Sequence, residues 1–325
     1  MSEMFFINYL STDTKPALTD YPGHIRHSVL GSSQLKVRHS LIPVGHQRHE
    51  PWTTAQFAMS LDANFSPMIA VNMAEHHPVQ IAKRIIELHT LYANSVALNF
   101  VTGSFGLETR SIHDNLSWEQ RSNRMVEAIT VIQGLLYQDG FSFSGEYYQL
   151  SGVCLKPRFA NLSVSFYVSG SAPSNLKVDP PHQLFTVSML RPLEVTRSST
   201  GQHCGLGLGI CARPTLDEAN SAMRQIFPDD RQQQLLFEMS LQGQHSPWKT
   251  WLRANPLWVN NEDDLYNLRA MIHGRAPSPY LVGSYQQVAH QLNQYRLLGY
   301  QFFLLDYPPG DESHVMKVQQ LLSSA

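Results

Sequence analysis

The chain has 325 residues, 42% of them hydrophobic and 15% charged, with a formal net charge of −2. This composition excludes a disordered chain and leaves room for a large buried core. With no basic stripe and no apolar run near the roughly 18–20 residues of a membrane span, nucleic acid and a lipid bilayer are not expected as partners.

Phe5-Phe6-Ile7-Asn8-Tyr9-Leu10 is a short apolar run that reads as a first strand. Residues 24–34 read as a short helix, and 37–44 as a second strand with Pro43 near its end, where a ladder donor can be spared. Pro51-Trp52 opens a helix that runs to Leu61, and 67–73 is a third strand. Residues 78–92 carry the clearest helical pattern, with Pro78 at the start and Ile81, Ile85, Leu88 and Tyr92 at spacings of three and four. A fourth strand, 95–101, ends in the polar run Asn99-Phe100-Val101-Thr102-Gly103. A long helix over about 116–137 places Met125, Ile129, Ile132 and Leu136 on one face. The stretch FSFSGEYYQL reads as a hairpin with Gly145 at its turn, and 163–170 as a strand ending in Ser169-Gly170-Ser171.

Further strands are expected at 183–190 and 205–212, and a helix at 216–226, where Asp217 and Glu218 favour the N-terminal dipole. Residues 228–279, rich in Gln, Asn, Pro and Trp, show no clean period and read as an insertion. The pattern resumes with a helix over 285–298 closed by Gly299, a last strand in YQFFLLDY, and a last helix over 312–322. Alternating strands and helices imply a parallel sheet with helices outside it. The length and regularity favour a closed (β/α)8 TIM barrel over an open sheet. The site then lies at the carboxyl ends of the strands, with Asn99 to Gly103 and Ser169 to Ser171 facing it.

Cys154, Cys204 and Cys211 are unevenly spaced with no Cys-x-x-Cys, so no disulfide framework is expected. Met1-Ser2-Glu3-Met4 does not begin a basic-then-apolar leader. Both features fit a cytoplasmic chain.

Several segments, in their order and spacing, resemble the luciferase-like flavin monooxygenases, which include bacterial luciferase and the alkane and alkanesulfonate monooxygenases. The segments are LIPVGHQRHEPWTTAQFAMS, HHPVQIAKRIIELHTLYANSVALNFVTG, GEYYQLSG, FYVSGSA and YLVGSYQQVAHQLNQYRLLGYQFFLLDYPP. The similarity runs from about Leu41 to Gly170 and again from Tyr280 to Tyr307. It implies one luciferase-like barrel domain over 1–325, with 228–279 covering its mouth and a homodimer as the assembly. It implies reduced FMN, supplied by a separate flavin reductase, and O2 as co-substrate. The expected activity is oxygenation of an organic substrate in specialised metabolism. The alternatives are a non-catalytic flavin-binding paralogue and a deazaflavin-dependent oxidoreductase.

The resemblance assigns Asn99 and Thr102 to the isoalloxazine ring and Gly103 to close backbone approach. Gly170, Ser171 and Ala172 match the family's phosphate turn, with Ala172 where a second Ser is usual. Ser122 stands where the family has a phosphate-touching Tyr, and Arg121 beside it keeps a charge. Histidines crowd the expected mouth at His46, His49, His76 and His77, and a histidine can donate a proton near neutral pH. His49 and His76 are the first catalytic candidates, with Asp13, where sulfonate oxygenases tend to have His. The alternative for each is a solvated loop residue. Arg48 and His46 are candidates for substrate contact.

The family's sulfonate-binding Arg and His fall at Gly207 and Gly209, and its substrate Trp at Met189. A simple sulfonate is therefore not expected, and a specialised metabolite or a carrier-tethered acyl group is. GLGLG lacks the Gly-x-Gly-x-x-Gly spacing before a helix, so it does not read as a dinucleotide loop. His24-x-x-His27 and His46-x-x-His49 lack completing ligands, so no metal is expected. Trp248, Trp251 and Trp258 read as core packing before a substrate channel.

Overall fold

The computed structural model of the chain describes residues 4–11, 20–94, 96–102, 112–160, 162–170, 176, 178, 182–196, 203–242, 247–256 and 264–323. In chain order the elements are β1 (Phe5–Tyr9), α1 (Tyr21–Gln34), β2 (His39–Ile42), α2 (Pro51–Leu61), β3 (Pro67–Asn72), α3 (Pro78–Tyr92), β4 (Ala97–Val101) and α4 (Trp118–Tyr137). Then come β5 (Phe141–Ser144), β6 (Gln149–Val153), β7 (Ser165–Ser169), β8 (Gln183–Met189), a 3-10 turn (Leu193–Val195), β9 (Cys204–Arg213) and α5 (Leu216–Ile226). The chain continues with α6 (Arg231–Gln242), α7 (Pro247–Ala254), β10 (Tyr266–Asn267), α8 (Arg269–Ile272), β11 (Tyr280–Ser284), α9 (Tyr285–Leu297), β12 (Phe302–Asp306) and α10 (Glu312–Ser323).

The strand order is β10-β11-β9-β12-β1-β2-β3-β4-β7-β8, and β8 pairs with β9 as well. The pairings therefore run round a ring of eight, β1, β2, β3, β4, β7, β8, β9 and β12, which is the topology of a (β/α)8 barrel. The chain divides into two compact units.

One unit comprises Leu10–Leu30 and His39–Thr186. Its parallel strands β2, β3, β4 and β7 bury alternate residues against the helices. Ile69, Val71, Leu98, Phe100, Phe166 and Val168 share a core with Ile81, Ile85 and Leu88 of α3 and Met125, Ile129 and Ile132 of α4. The period of two sends Ala70, Asn72, Asn99, Tyr167 and Ser169 to the other face. The register pairs Ala70 with Asn99, Asn72 with Val101, and Asn99 with Tyr167.

The other unit comprises Met1–Tyr9, Gly31–Arg38 and Val187–Ala325. Here Leu206, Leu208 and Ile210 of β9 and Phe303 and Leu305 of β12 pack with Val288 and Leu292 of α9 and Val315 and Val318 of α10. The alternate positions, Gly205, Gly207 and Gly209 with Phe302, Leu304 and Asp306, face the opposite way.

Two expectations are refined. The first helix starts at Tyr21, because Asp20 Oδ1 accepts from Gly23 N at 2.9 Å and holds its first turn. The 228–279 segment contains α6, α7, β10 and α8. The apolar residues of α6 fall at 235, 236, 237, 239 and 241, so they wrap round the helix and show no single stripe. The segment is tied to the end of α5 and to itself: Arg269 donates to Phe227 O at 2.8 Å and Asp229 Oδ1 at 2.6 Å, and His273 Nδ1 accepts from Asp230 N at 3.0 Å. No described helix is long and apolar enough to cross a membrane, and no described cluster of three or more His, Cys, Asp or Glu could hold a metal.

Candidate active site

In the 39–186 unit the carboxyl ends of β3, β4 and β7 carry a layer of neutral polar groups. Asn99 is 3% exposed, and its Oδ1 accepts from Ser169 Oγ on the neighbouring strand at 2.9 Å. A buried amide of this kind needs partners, and Ser169 supplies one of them. One residue beyond Ser169, Gly170 turns with φ +96° and has open space where a side chain would stand. That left-handed conformation suits glycine, and it leaves backbone accessible to a ligand.

One residue past the end of β4, the carbonyl of Thr102 accepts from Arg121 Nε at 2.8 Å. Arg121 Nη1 donates to Leu116 O at 2.6 Å, so the guanidinium clamps the connection from β4 to α4. Its Nη2 has no hydrogen-bond partner among the described residues. Ser122 points into the core beside Met125, is 4% exposed, and spends its hydroxyl on Trp118 O at 2.9 Å. Asp13, Gly103, Ser171 and Ala172 lie outside the described residues, as does Trp258.

Asn72 was not singled out from the sequence, yet it organises the loop after β3. It is 6% exposed; its Oδ1 accepts from Ala74 N at 3.1 Å and its Nδ2 donates to Glu75 Oε1 at 3.3 Å. His76 Nδ1 lies 3.4 Å from the Asn72 carbonyl, and His46 Nε2 lies 3.9 Å from Glu75 Oε1. The structure thus gathers His46 and His76 round one Asn–Glu pair.

His49 belongs to a different group. Its ring stacks on Tyr21 at 3.7 Å, and the Tyr21 hydroxyl shares a 2.7 Å hydrogen bond with Thr54 Oγ1. Burial pushes the Tyr21 phenol pKa up, so it remains a neutral phenol. His77 caps α3: its Nδ1 accepts from Val79 N at 3.3 Å, a structural role. Arg48 is half-buried in a turn closed by its own N–H on Gly45 O at 3.1 Å.

In the other unit, Met189 packs against the α9–α10 core, and the next residue, Leu190, donates its N–H to Gly207 O at 3.1 Å. Trp248 is buried, with its Nε1 on Leu190 O at 2.9 Å, a core role.

Amide, hydroxyl and backbone groups of this kind suit a flat, neutral, N–H- and C=O-rich ring. The open Gly170 turn and the spare Arg121 Nη2 suit an anionic tail. The described residues therefore fit a flavin mononucleotide.

A family model described as luciferase-like monooxygenase matches residues 34–198. Among curated proteins, the chain is 27% identical to the 4-(gamma-L-glutamylamino)butanoyl-[BtrI acyl-carrier protein] monooxygenase BtrO of Niallia circulans, over 297 residues that cover 88% of this chain and 87% of that protein. It is 28% identical to an FMNH(2)-dependent dimethylsulfone monooxygenase of Pseudomonas putida over 112 residues, 34% of this chain and 31% of that protein. The crystal structure of DmoA from Hyphomicrobium sulfonivorans superposes with a TM-score of 0.73 at 14% identity, covering 99% of this chain and 89% of that one. At that identity the superposition establishes the shared fold.

Proposed function

The chain belongs to the luciferase-like monooxygenase family, and from that premise we propose that it uses reduced FMN and O2 to oxygenate an acyl group tethered to a carrier protein. A separate flavin reductase supplies the FMN. The carrier-tethered substrate is supported by the relative named for such a substrate, which aligns over 88% of the chain. The observation that carries the flavin assignment is the buried Asn99–Ser169 pair at the ends of β4 and β7, flanked by the Gly170 turn.

Reduced FMN supplies the electrons that activate O2. The chain's own residues supply position and protons. Asn99, held by Ser169, orients the ring edge, and Gly170 lets backbone approach it. Arg121 Nη2 would donate to the phosphate while Nε and Nη1 stay on Thr102 O and Leu116 O. His76, with Nδ1 on the Asn72 carbonyl, would offer Nε2 as a proton donor beside the bound flavin. His46 beside Glu75 is the second proton donor of that loop.

The test is a fluorescence titration with FMN followed by turnover with a reductase, NADH and an acyl-loaded carrier protein. Asn99→Leu and Arg121→Gln should each weaken FMN binding about tenfold or more, the size of one lost charged or buried hydrogen bond. The loaded carrier should gain one oxygen atom by mass spectrometry. Equal turnover of the free acid would sink the carrier proposal. Preference for a deazaflavin, or binding without turnover, would sink the oxygenase reading.

A further inference from the structure

Helix α4 carries Arg121 and Arg124 three positions apart, which sets them one above the other on the same side of the helix. Both reach back to the connection that leads into the helix, and they bind different groups there. Arg124 holds a carboxylate: its Nη1 donates to Asp114 Oδ1 at 3.2 Å and its Nη2 to Asp114 Oδ2 at 2.8 Å. The Arg124 and Asp114 side chains of this two-pronged pair are 15% and 7% exposed. Arg121 holds carbonyls instead, Thr102 O through Nε and Leu116 O through Nη1. Among the described residues no carboxylate pairs with Arg121, so its positive charge is uncompensated.

Asp114 is the sole carboxylate of residues 112–117. With both oxygens on Arg124, it is withheld from Arg121, which binds the carbonyl only two residues further on. The same pair helps to fix that carbonyl. Upstream of Leu116, Asp114 ties the connection to α4. Downstream, Ser117 caps the helix: Gln120 N donates to Ser117 Oγ at 3.2 Å, and Gln120 Oε1 accepts from Ser117 N at 2.8 Å. Leu116 O therefore lies between two anchors. A guanidinium is planar, so one bound through Nε and Nη1 has the direction of its third nitrogen set as well.

We propose that Asp114 and Arg124 are positioning residues for the flavin phosphate: the pair withholds the local carboxylate from Arg121 and fixes the Leu116 carbonyl, so that Arg121 Nη2 is presented to an anion. The pair thereby sets the preference for a phosphorylated flavin over an unphosphorylated one. The proposal rests on the reading of Arg121 as the phosphate contact. It adds the residues that hold that contact in place, since a binding group is selective only when its own supports fix its geometry.

Fluorescence titrations of the full chain with FMN and with riboflavin, which differ by the phosphate alone, read the effect. Wild type should bind FMN at least about tenfold more tightly than riboflavin. Arg124→Lys keeps the charge and loses the two-pronged geometry. It should weaken FMN binding about five- to tenfold and leave riboflavin binding within about twofold of wild type. Asp114→Glu also conserves charge and lengthens the arm by one methylene. It should act in the same direction, and it keeps the test intact if Arg124→Lys fails to fold. Neither variant alters net charge, so a purely long-range electrostatic effect predicts no change for either flavin. A folded variant that keeps the wild-type FMN-to-riboflavin ratio overturns the positioning role. An equal loss for both flavins overturns it too, because the pair would then only support the fold. Wild type binding the two flavins alike would strike the phosphate reading of Arg121 and this inference with it. Loss of discrimination in Arg121→Gln but not in Arg124→Lys would leave that phosphate contact standing and remove the positioning role alone.

Discussion

Glu127 sits on α4 among residues that look like an ordinary polar helix face, yet its carboxylate accepts from three backbone N–H groups: Glu146 at 2.8 Å, Tyr147 at 2.9 Å and Tyr148 at 3.3 Å. These are the donors of the turn between β5 and β6, which would otherwise lack partners. A Cβ on Gly145 would collide with the same carboxylate, so the glycine and the glutamate form one device. Glu127→Gln keeps the shape, replaces a charged acceptor by one amide oxygen, and should cost about 1–2 kcal/mol, toward the low end for hydrogen bonds to a charge. Calorimetry should show a fall of about 1.5 °C per kcal/mol for a chain of this length, and an unchanged melting temperature would refute the three-donor account. At this scale the sequence was only partly legible. Asn99 stood out because a polar residue interrupts an apolar strand. Asn72 is as buried but ends its strand, where Asn resembles the start of a loop. The demands on Gly205 and Gly209 come from Phe302 and Tyr280, which lie 97 and 71 positions along the chain, beyond the reach of local patterns.

Among the elements, α3 was legible to the residue. Proline at its first position, a side-chain cap from His77 and a strict spacing of buried Ile81, Ile85 and Leu88 all agree. α4 is framed equally well: Ser117 and Gln120 form a reciprocal capping box. α6 was not legible, because its apolar residues surround it and its turns are rich in Gln. The end of α3 carries a flaw that the pattern did not show. Ala93 closes it in the left-handed conformation, with φ 52° and ψ 20°, while its N–H bonds to His89 O. Alanine pays a steric penalty there that glycine avoids. Ala93 is exposed, so substitution touches no packing. Ala93→Gly should therefore stabilise the protein by about 0.5–1 kcal/mol, in spite of the larger unfolded-state entropy of glycine. Urea unfolding would read this as a higher midpoint with an unchanged slope; a lower midpoint would mean that Ala93 is not left-handed in solution.

For the whole molecule, strand and helix alternation gave the parallel topology in advance, whereas the additional β8–β9 pairing carries no pattern in the sequence and could only be seen in three dimensions. One buried group couples the stability of this assembly to pH. His182, just before β8, is 5% exposed; its Nδ1 accepts from Val164 N at 3.1 Å, just before β7, and its ring meets Phe166 and Tyr137. Burial lowers its pKa to about 4. In the unfolded chain an ordinary histidine takes up a proton near pH 6.5. Between these values the unfolded state binds a proton that the folded state refuses, so stability rises with pH across that interval. The contribution is complete above about pH 6.5 and is lost progressively as pH falls toward about 4. His182→Asn keeps an acceptor for Val164 but cannot be protonated. It should lower stability at pH 7.5 through lost packing, yet flatten the decline of the urea midpoint between pH 6.5 and 4.5. If wild type and variant lose stability in parallel over that interval, the acid sensitivity of the fold has another origin, and His182 is a neutral packing residue with no linkage to pH.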